Sequence, residues 1–407
     1  MEMNSYRKSL LIFLTFFILI ELSVIVAGSI VRPQWRLWHD EAHFYKTIQI
    51  FEHDISLDNL KHYQEMSTPL PFIIYALWGR LWEADIFHLR ILSFLIALIT
   101  CLVFHRILYL LFNGTKAFWG TVFLSINPYM IGFSIFVFTD MMAILFLVLT
   151  LFFLIRKHLI LFVLSMAAAI LSRQYMIFFT FAVFIYSGLV YLHSKDTKSL
   201  SLFISNLFAV VPMVLLIILW SGLSPINNLR KLYMDEAFTF HPHILTLYIS
   251  LLFIYFVPIL FFYAKRIYAN YRIILISLLL SFFYVIYPIK PSQSSVAIGV
   301  STVGLFHRFL QSVLDNQFFI HFIFYLSFFL ALPILIMLME DFYYHLKAKN
   351  YNLYSLIDLS IFSFLIVMPF SYLGWEKYFV PLIPFVIIRL FMINHTGKET
   401  EKSLIVS

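Results

Sequence analysis

The sequence predicts an all-α polytopic membrane protein with about 12 transmembrane helices, and three observations lead to that prediction. Of its 407 residues, 62% are hydrophobic and only 12% are charged, about half the charged share of an average soluble domain. Apolar runs close to 20 residues long recur along the chain, and each could cross a hydrocarbon core of about 30 Å as a helix. The basic residues are grouped between alternate runs, as the positive-inside rule requires.

Twelve apolar runs are candidate spans within a single transmembrane domain over residues 1–407. The first is expected to be retained as a helix, because no small-residue cleavage site follows it. The segment 69–82 is apolar but short, so it is predicted to be interfacial or re-entrant. The predicted spans are residues 9–30, 89–111, 117–134, 139–155, 158–172, 175–192, 201–221, 244–264, 272–289, 318–340, 355–373 and 378–393.

The charge pattern predicts the orientation of these spans. With the N-terminus in the cytoplasm, every predicted cytoplasmic segment is basic, which accounts for the net charge of +7 without nucleic acid. The long loops 31–88, 222–243 and 290–317 then fall on the opposite face. Loops held by a rigid scaffold often carry function, so the functional site is predicted on the non-cytoplasmic face. The single cysteine, Cys101, lies in a predicted span, which excludes a disulfide framework.

The stretch WHDEAHFYK, residues 38–46, places two acids directly after the first span. A solvated acidic pair in a loop is the ordinary interpretation of Asp40 and Glu41. The alternative starts from the helix predicted to follow, with Asp40 near its N-cap, where an acid is favoured. Adjacent side chains on a helix diverge by about 100°. One carboxylate could therefore act as a general base while the other contacts a supporting partner.

Two further motifs place cations at the predicted outer face. In SRQYMIFF, residues 172–179, Arg173 is costly at that depth unless it is paired or binds an anion. The alternative is an arginine that snorkels to lipid phosphates. In GWEKYF, residues 374–379, Glu376 and Lys377 form either an interfacial ion pair or, through Lys377, a contact to a lipid phosphate.

The remaining polar candidates are weaker. The stretch MDEAFTFHPH, residues 234–243, brings acids close to His241 and His243, but two histidines are fewer than the ligands that a closed metal site needs. No metal site is predicted. Asp140 is expected to cap the fourth span, and Glu21 is expected to face the bundle interior.

Taken in order, these motifs resemble the polytopic GT-C glycosyltransferases. They are most similar to the eukaryotic family that adds the terminal α-1,2-linked glucose to the dolichol-linked oligosaccharide. The resemblance covers nearly the whole chain, although this sequence is shorter and residues 290–317 match poorly. The matching segments are HDEAHFYKTIQIFEH, STPLPFIIY, SRQYMIFF, DEAFTFHPHILTLY and EKYFVPLIPFVIIRL.

The resemblance implies a GT-C fold with its catalytic cavity on the non-cytoplasmic side. It implies a polyprenyl or dolichyl phosphate donor and transfer of glucose or another hexose, with inversion, to a hydroxyl of a lipid-linked or envelope glycan. It implies Asp40 as the base, with Glu41 orienting it or the acceptor, and no cofactor. The implied phosphate contacts are Arg173, Gln174, Lys377 and Arg308, and the implied substrate contacts are His43, Thr68, Asp235, Glu236, His241 and Tyr378.

Further function classes stay open. A transporter or flippase for a lipid-linked or small solute suits twelve spans, but transporters usually show two similar halves and interrupted helices, and neither is evident in the sequence. A protein-modifying GT-C relative and a non-catalytic membrane scaffold also fit the composition. The membrane is expected to be a bacterial or archaeal plasma membrane, or the endoplasmic reticulum of a eukaryote.

Overall fold

A computed structural model describes residues 2–31, 37, 39–82, 84–227, 230, 239–297, 299–371 and 373–393 of the chain. Within these ranges the chain is helical and contains no strand. Six helices are long and apolar enough to cross a membrane, or up to eight if each of two bent helix pairs counts as one span. The protein is thus an all-α chain with several helices able to span a membrane. The total of twelve spans stays a prediction.

The chain divides into two compact units. Unit 1 comprises Met1–Ile177 and Ile204–Lys231, and unit 2 comprises Phe178–Phe203 and Leu232–Ser407. The chain therefore leaves unit 1, contributes one segment to unit 2, and returns to unit 1 before it completes unit 2.

In the described residues, unit 1 begins with nine helices, and two more straddle its boundary with unit 2. Helix α5 packs against α6, α7 and α8, while α8 packs against α9 and α2 against α4. The helices are α1 (Glu2–Val31), α2 (His39–His53), α3 (Leu57–His62), α4 (Leu70–Trp82), α5 (Ile86–Leu111), α6 (Gly114–Ser125), α7 (Pro128–Ile135), α8 (Thr139–Ile155) and α9 (Leu159–Ser172). Two helices then straddle the boundary between the units: α10 (Ile177–Ser194) and α11 (Thr197–Trp220).

Side-chain caps explain where several helices of unit 1 begin. The Asp85 carboxylate accepts hydrogen bonds from the amides of Phe87 at 2.7 Å and His88 at 3.0 Å, which caps α5. The hydrogen bond from the His88 amide is also the main cause of the lowered pKa of Asp85.

The predicted span 117–134 is instead two helices. Proline lacks an amide hydrogen and fits only the first turn of a helix, so Pro128 ends one helix and starts the next. The side chain of Asn127 caps the new helix by accepting from the Tyr129 amide at 3.0 Å. Helices α7 and α8 then form a bent pair with an angle of 110° between them.

The returning segment of unit 1 completes the edge formed by α3. The Trp220 indole donates to the Leu60 carbonyl at 2.9 Å, and the Ile226 amide donates to the Lys61 carbonyl at 3.1 Å. The Asn227 side chain donates to the carbonyl of Tyr63 at 2.8 Å. Backbone groups near residue 60 are thus satisfied by residues far along the chain.

Unit 2 is built around one long helix, α17. Both α12 and α14 pack against it, and α18 packs against α19. The predicted span 244–264 is again two helices, α12 and α13, bent by 89° with respect to each other, with a proline in the first turn of the second. The helices are α12 (Pro242–Ile254), α13 (Val257–Ile267), α14 (Tyr271–Ile286), α15 (Gln293–Ala297), α16 (Leu305–Val313), α17 (Gln317–Ala348), α18 (Leu353–Val367) and α19 (Ile383–Met392).

Candidate functional site

Asp40 and Glu41 both lie in the first turn of α2, where the helix dipole favours acids. The predicted helix after the first span is thus confirmed. Glu41 is 0% exposed, whereas Asp40 is partly exposed. The divergence of adjacent side chains on a helix explains this difference. One acid is enclosed by protein and the other is accessible.

Glu41 is held by a cation and a backbone amide. The Arg90 guanidinium donates from Nε to Oε1 at 2.9 Å and from Nη2 to Oε2 at 2.6 Å, a bidentate geometry that makes a strong, oriented ion pair. The Val137 amide donates to Oε1 at 3.0 Å. The guanidinium also lies 5.3 Å from the centroid of the Phe136 ring.

Sequence reasoning does not single out Arg90. Arg90 lies at the predicted outer end of a span, where the positive-inside rule does not place a cation. This exception to the rule is the feature of the sequence that could have indicated a functional or paired arginine. Its partner cannot be read from the chain, since Glu41 and Arg90 are 49 positions apart.

A second ion pair lies at the start of α8. Asp140 is buried, and its Oδ2 accepts from Arg173 Nη2 at 2.5 Å while its Oδ1 accepts from the Tyr175 hydroxyl at 3.1 Å. The expectation that Asp140 caps α8 is wrong. The N-cap is Phe138, whose side chain makes no cap hydrogen bond. The carboxylate of Asp140 instead binds Arg173 and Tyr175.

These two ion pairs flank the bend between α7 and α8, and we call Glu41, Arg90, Asp140, Arg173 and Tyr175 the bend network. Its two carboxylates and two guanidiniums balance in formal charge, which is the condition for burying ions at acceptable cost. The helix turn that carries Asp40 is thereby fixed to the bend. The predicted phosphate ligand Arg173 and the predicted catalytic residue Glu41 each take part in an ion pair beside the same bend.

Gln174 and Thr68 also lie in unit 1 and bind backbone. The Gln174 side chain donates to the Met66 carbonyl at 2.7 Å and to the Leu223 carbonyl at 3.3 Å. Buried Thr68 donates to the Ile170 carbonyl at 3.2 Å. These bonds fix the segment before α4 to the end of α9. The predicted ligand roles of Gln174 and Thr68 stay predictions.

In unit 2, the Glu376 carboxylate binds the N-terminus of α16. Its Oε2 accepts from the Phe306 amide at 2.9 Å and from the Tyr255 hydroxyl at 3.3 Å, and its Oε1 accepts from the His307 amide at 3.0 Å. The first amides of a helix have no intrahelical partner, and the helix dipole favours an anion there. Glu376 is 0% exposed, so this contact replaces water at both carboxylate oxygens.

Gly304 is required by this contact. Its φ is +157°, and a Cβ at this position would lie 2.4 Å from Cδ and Cγ of Glu376. Only a residue without a side chain leaves room for the carboxylate against the α16 amides. The adjoining His307 ring is also buried, and this burial lowers the pKa of His307 to about 4, with a smaller effect of His321 in the same direction.

Lys377 lies against two aromatic rings. Its Nζ is 4.6 Å from the centroid of the Trp375 ring and 5.5 Å from that of the Tyr378 ring, and these rings are stacked at 6.1 Å. Such contacts orient an ammonium group and offset part of its desolvation. Lys377 and Tyr378 are both buried, while Arg308 is exposed on α16.

The other predicted site residues lie apart from these contacts or outside the described residues. His43 is exposed on α2, and the His241 ring lies 5.5 Å from that of His243. Asp235 and Glu236 fall outside the described residues. In the part of the chain that the structure describes, no group of three or more His, Cys, Asp or Glu side chains could hold a metal ion.

No protein-family model, no curated protein and no solved structure matches the chain. The GT-C resemblance therefore stays a prediction made from the motifs. A functional interpretation depends on the geometry of the acid pair, the bend network and the segment 375–378.

Proposed function

We propose that the protein is a membrane glycosyltransferase that moves a hexose from a polyprenyl-type phosphate to a hydroxyl acceptor. The observation that carries the proposal is the asymmetry of the acid pair. Glu41 is fully buried and accepts hydrogen bonds from Arg90 and the Val137 amide, and Asp40, in the same helical turn, is partly exposed. A fully buried acid beside a partly exposed acid is an arrangement that supports general-base chemistry.

In this proposal Asp40 is the base. The acceptor hydroxyl oxygen bonds to the anomeric carbon while the bond from that carbon to the phosphate oxygen breaks. The lipid phosphate departs with the electron pair, and the hydroxyl proton passes to the Asp40 carboxylate. Attack from the face opposite the phosphate inverts the anomeric centre, and the GT-C resemblance supports a donor whose lipid lies among apolar helices.

Glu41 is a positioning residue in this scheme. Its two oxygens already bind Arg90 and the Val137 amide, and taking up a proton would weaken all three bonds. Glu41 thereby fixes the first turn of α2 and the direction in which Asp40 points.

The departing phosphate needs cations. In unit 1 the Arg173 charge is already matched by Asp140, so a phosphate would have to share it. The GT-C resemblance also implies Lys377, whose ammonium lies against aromatic rings, and Arg308, whose guanidinium is exposed, as partners for charge-assisted bonds to a phosphate. Lys377→Ala is expected to raise the apparent KM for the donor more than that for the acceptor.

The test uses purified full-length protein in lipid, a panel of labelled polyprenyl-phosphate sugars and extracts of lipid-linked glycans. Asp40→Asn is compared with Asp58→Asn, whose side chain is 84% exposed on α3. Transfer of label with wild type and Asp58→Asn, but not with folded Asp40→Asn, is the expected result. Full turnover in Asp40→Asn removes Asp40 as the base, and no transfer from any donor contradicts the glycosyltransferase proposal.

A flippase for a lipid-linked sugar is the second candidate, and one observation favours it. Interrupted helices are not evident in the sequence, but the bent pair of α7 and α8, at 110°, is a break of the type that lines transporter sites. Proteoliposomes with labelled lipid-linked sugar in one leaflet separate the two functions. Movement of chemically unchanged label to the other leaflet supports the flippase, whereas a new labelled product supports transfer.

A further inference from the structure

Helix α13 runs almost perpendicular to a helix of the bundle. It follows α12 after a short break and is bent from it by 89°. Helix α12 packs against α17, whose 32 residues are long and apolar enough to span a membrane. Because α12 packs against this long apolar helix, we infer that α13, at a right angle to α12, lies close to the plane of the membrane.

Helix α13 has two distinct faces. One face is buried in unit 2 through Ile259, Leu260, Tyr263 and Ile267. The other carries two neighbouring aromatic side chains, Phe261 at 79% and Phe262 at 81% exposure, which are among the most exposed large apolar residues that the structure describes. This combination is typical of a helix that lies in the membrane interface with one apolar face in the acyl region.

The end of α13 and the start of α14 are basic. Lys265 and Arg266 occupy the last turn of α13, and Arg272 lies in the first turn of α14. All three are exposed, and the sequence has no acidic residue between positions 237 and 314. This local charge is therefore not offset along the chain, and it complements an anionic surface.

The two helices on either side of α13 are short. Helices α12 and α14 have 13 and 16 residues, or about 20 and 24 Å at about 1.5 Å per residue, less than a hydrocarbon core of about 30 Å. The Tyr268 hydroxyl donates to the Leu330 carbonyl, well inside the long α17, at 2.8 Å. A basic hairpin that ends short of the bilayer surface draws headgroups inward and thins the membrane locally.

We propose that α13 and residues 265–272 form an in-plane membrane anchor that binds the phosphates of anionic phospholipids. Phe261 and Phe262 enter the acyl region, while Lys265 and Arg272 contact the headgroups and Arg266 donates to the Ile393 carbonyl. The positive-inside pattern predicts that this anchor lies on the cytoplasmic face. The proposal does not depend on the proposed catalytic function.

The first experiment measures retention of phosphatidylglycerol. Full-length protein in nanodiscs of phosphatidylcholine, alone or mixed with phosphatidylglycerol, is compared with Lys265→Gln/Arg272→Gln and with the control Arg156→Gln, an exposed arginine in a different loop. Each lost charge is expected to weaken phosphatidylglycerol binding about fivefold, and Arg156→Gln is expected to leave it unchanged. Equal binding in the double variant and wild type overturns the proposal.

The second experiment measures how deeply position 262 lies in the bilayer. A nitroxide is attached at Phe262→Cys in a Cys101→Ser background, since Cys101 is fully buried, with Asp58→Cys as the water-exposed control. Greater collision with oxygen than with a water-soluble nickel complex is expected at position 262, and the reverse at position 58. Collision with the nickel complex at position 262, or a spin–spin signal from a second copy, overturns the membrane anchor.

Discussion

Removing one member of the Glu41–Arg90 ion pair is expected to destabilise unit 1 at least as much as removing both. Glu41→Gln leaves the guanidinium of Arg90, whose side chain is 13% exposed, without its charged partner in the interior. Removing one member of a buried pair costs about 3–5 kcal/mol, because the remaining charge stays desolvated. We therefore expect Glu41→Gln to lower the free energy of unfolding by about 3 kcal/mol, and Arg90→Met to lower it by a similar amount.

The two losses should not add. In Glu41→Gln/Arg90→Met no charge stays desolvated, so the double variant is expected to cost about 3 kcal/mol or less in total. The resulting coupling energy is about 3 kcal/mol or more, at the upper end of the range measured for contacting residues. The matched control is Glu52→Gln, a partly exposed acid on the same helix, which is expected to change the free energy of unfolding by less than about 0.5 kcal/mol.

The assay is reversible unfolding of the full chain in mixed micelles of increasing sodium dodecyl sulfate, followed by tryptophan fluorescence. Free energies of unfolding from the four proteins of the cycle give the coupling energy directly. If the two single-variant losses in free energy of unfolding add up to the double-variant loss within about 0.5 kcal/mol, Arg90 and Glu41 act independently. The positioning role of Glu41 would then be refuted.

Three further predictions concern caps and burial. Gly304→Ala is expected to destabilise the protein by about 2–4 kcal/mol, because its Cβ would overpack against Glu376 and its φ is positive. The control Gly132→Ala, with open space around it, should be neutral or stabilising by up to about 1 kcal/mol. Equal changes in the unfolding temperature of the two variants would contradict the Glu376 contact. In the folded protein His307 has a pKa of about 4, below the unfolded value of about 6.5. Between about pH 4 and 6.5 the unfolded state therefore binds more protons than the folded state. The free energy of unfolding should fall by up to about 3 kcal/mol as the pH drops from about 6.5 to 4. A His307→Gln variant with the same pH slope would exclude that histidine as the cause. Asp85→Ala should lower the free energy of unfolding by about 1 kcal/mol, because it removes the side-chain cap of α5. An unchanged free energy of unfolding would show that water bonds the freed amides as well as the carboxylate does.

The sequence is sufficient for features that depend on local pattern. The helix over His39–His53 with its acidic first turn, and the spans found as α1, α5, α10, α11, α17 and α18, follow from hydropathy and capping alone. The break at Asn127 and Pro128 is also readable, since an Asn-Pro pair is a strong signal for a helix start. Apolar residues on both sides nevertheless make the segment resemble one continuous span, which is why a single span is predicted there.

The partners of the buried charges cannot be predicted in the same way. Asp140 and Arg173 are 33 positions apart, and Glu376 reaches amides 69 and 70 positions earlier in the chain. Periodicity indicates which face of a helix is apolar, but it does not indicate which helices meet. Local pattern therefore assigns Asp140 to its own helix, and it assigns Glu376 to its neighbour Lys377 at the interface.

The return of residues 204–231 to unit 1 imposes an order on synthesis. The Leu60 carbonyl accepts from Trp220, a residue made 160 positions later. At roughly 5–20 residues per second, a ribosome needs about 8–30 s to supply that indole. Throughout that interval the carbonyls of Leu60, Lys61 and Tyr63 must be satisfied by water or translocon, and helices α10 and α11 have to be inserted before that edge can close. Unit 1 therefore matures late, although most of it is translated first.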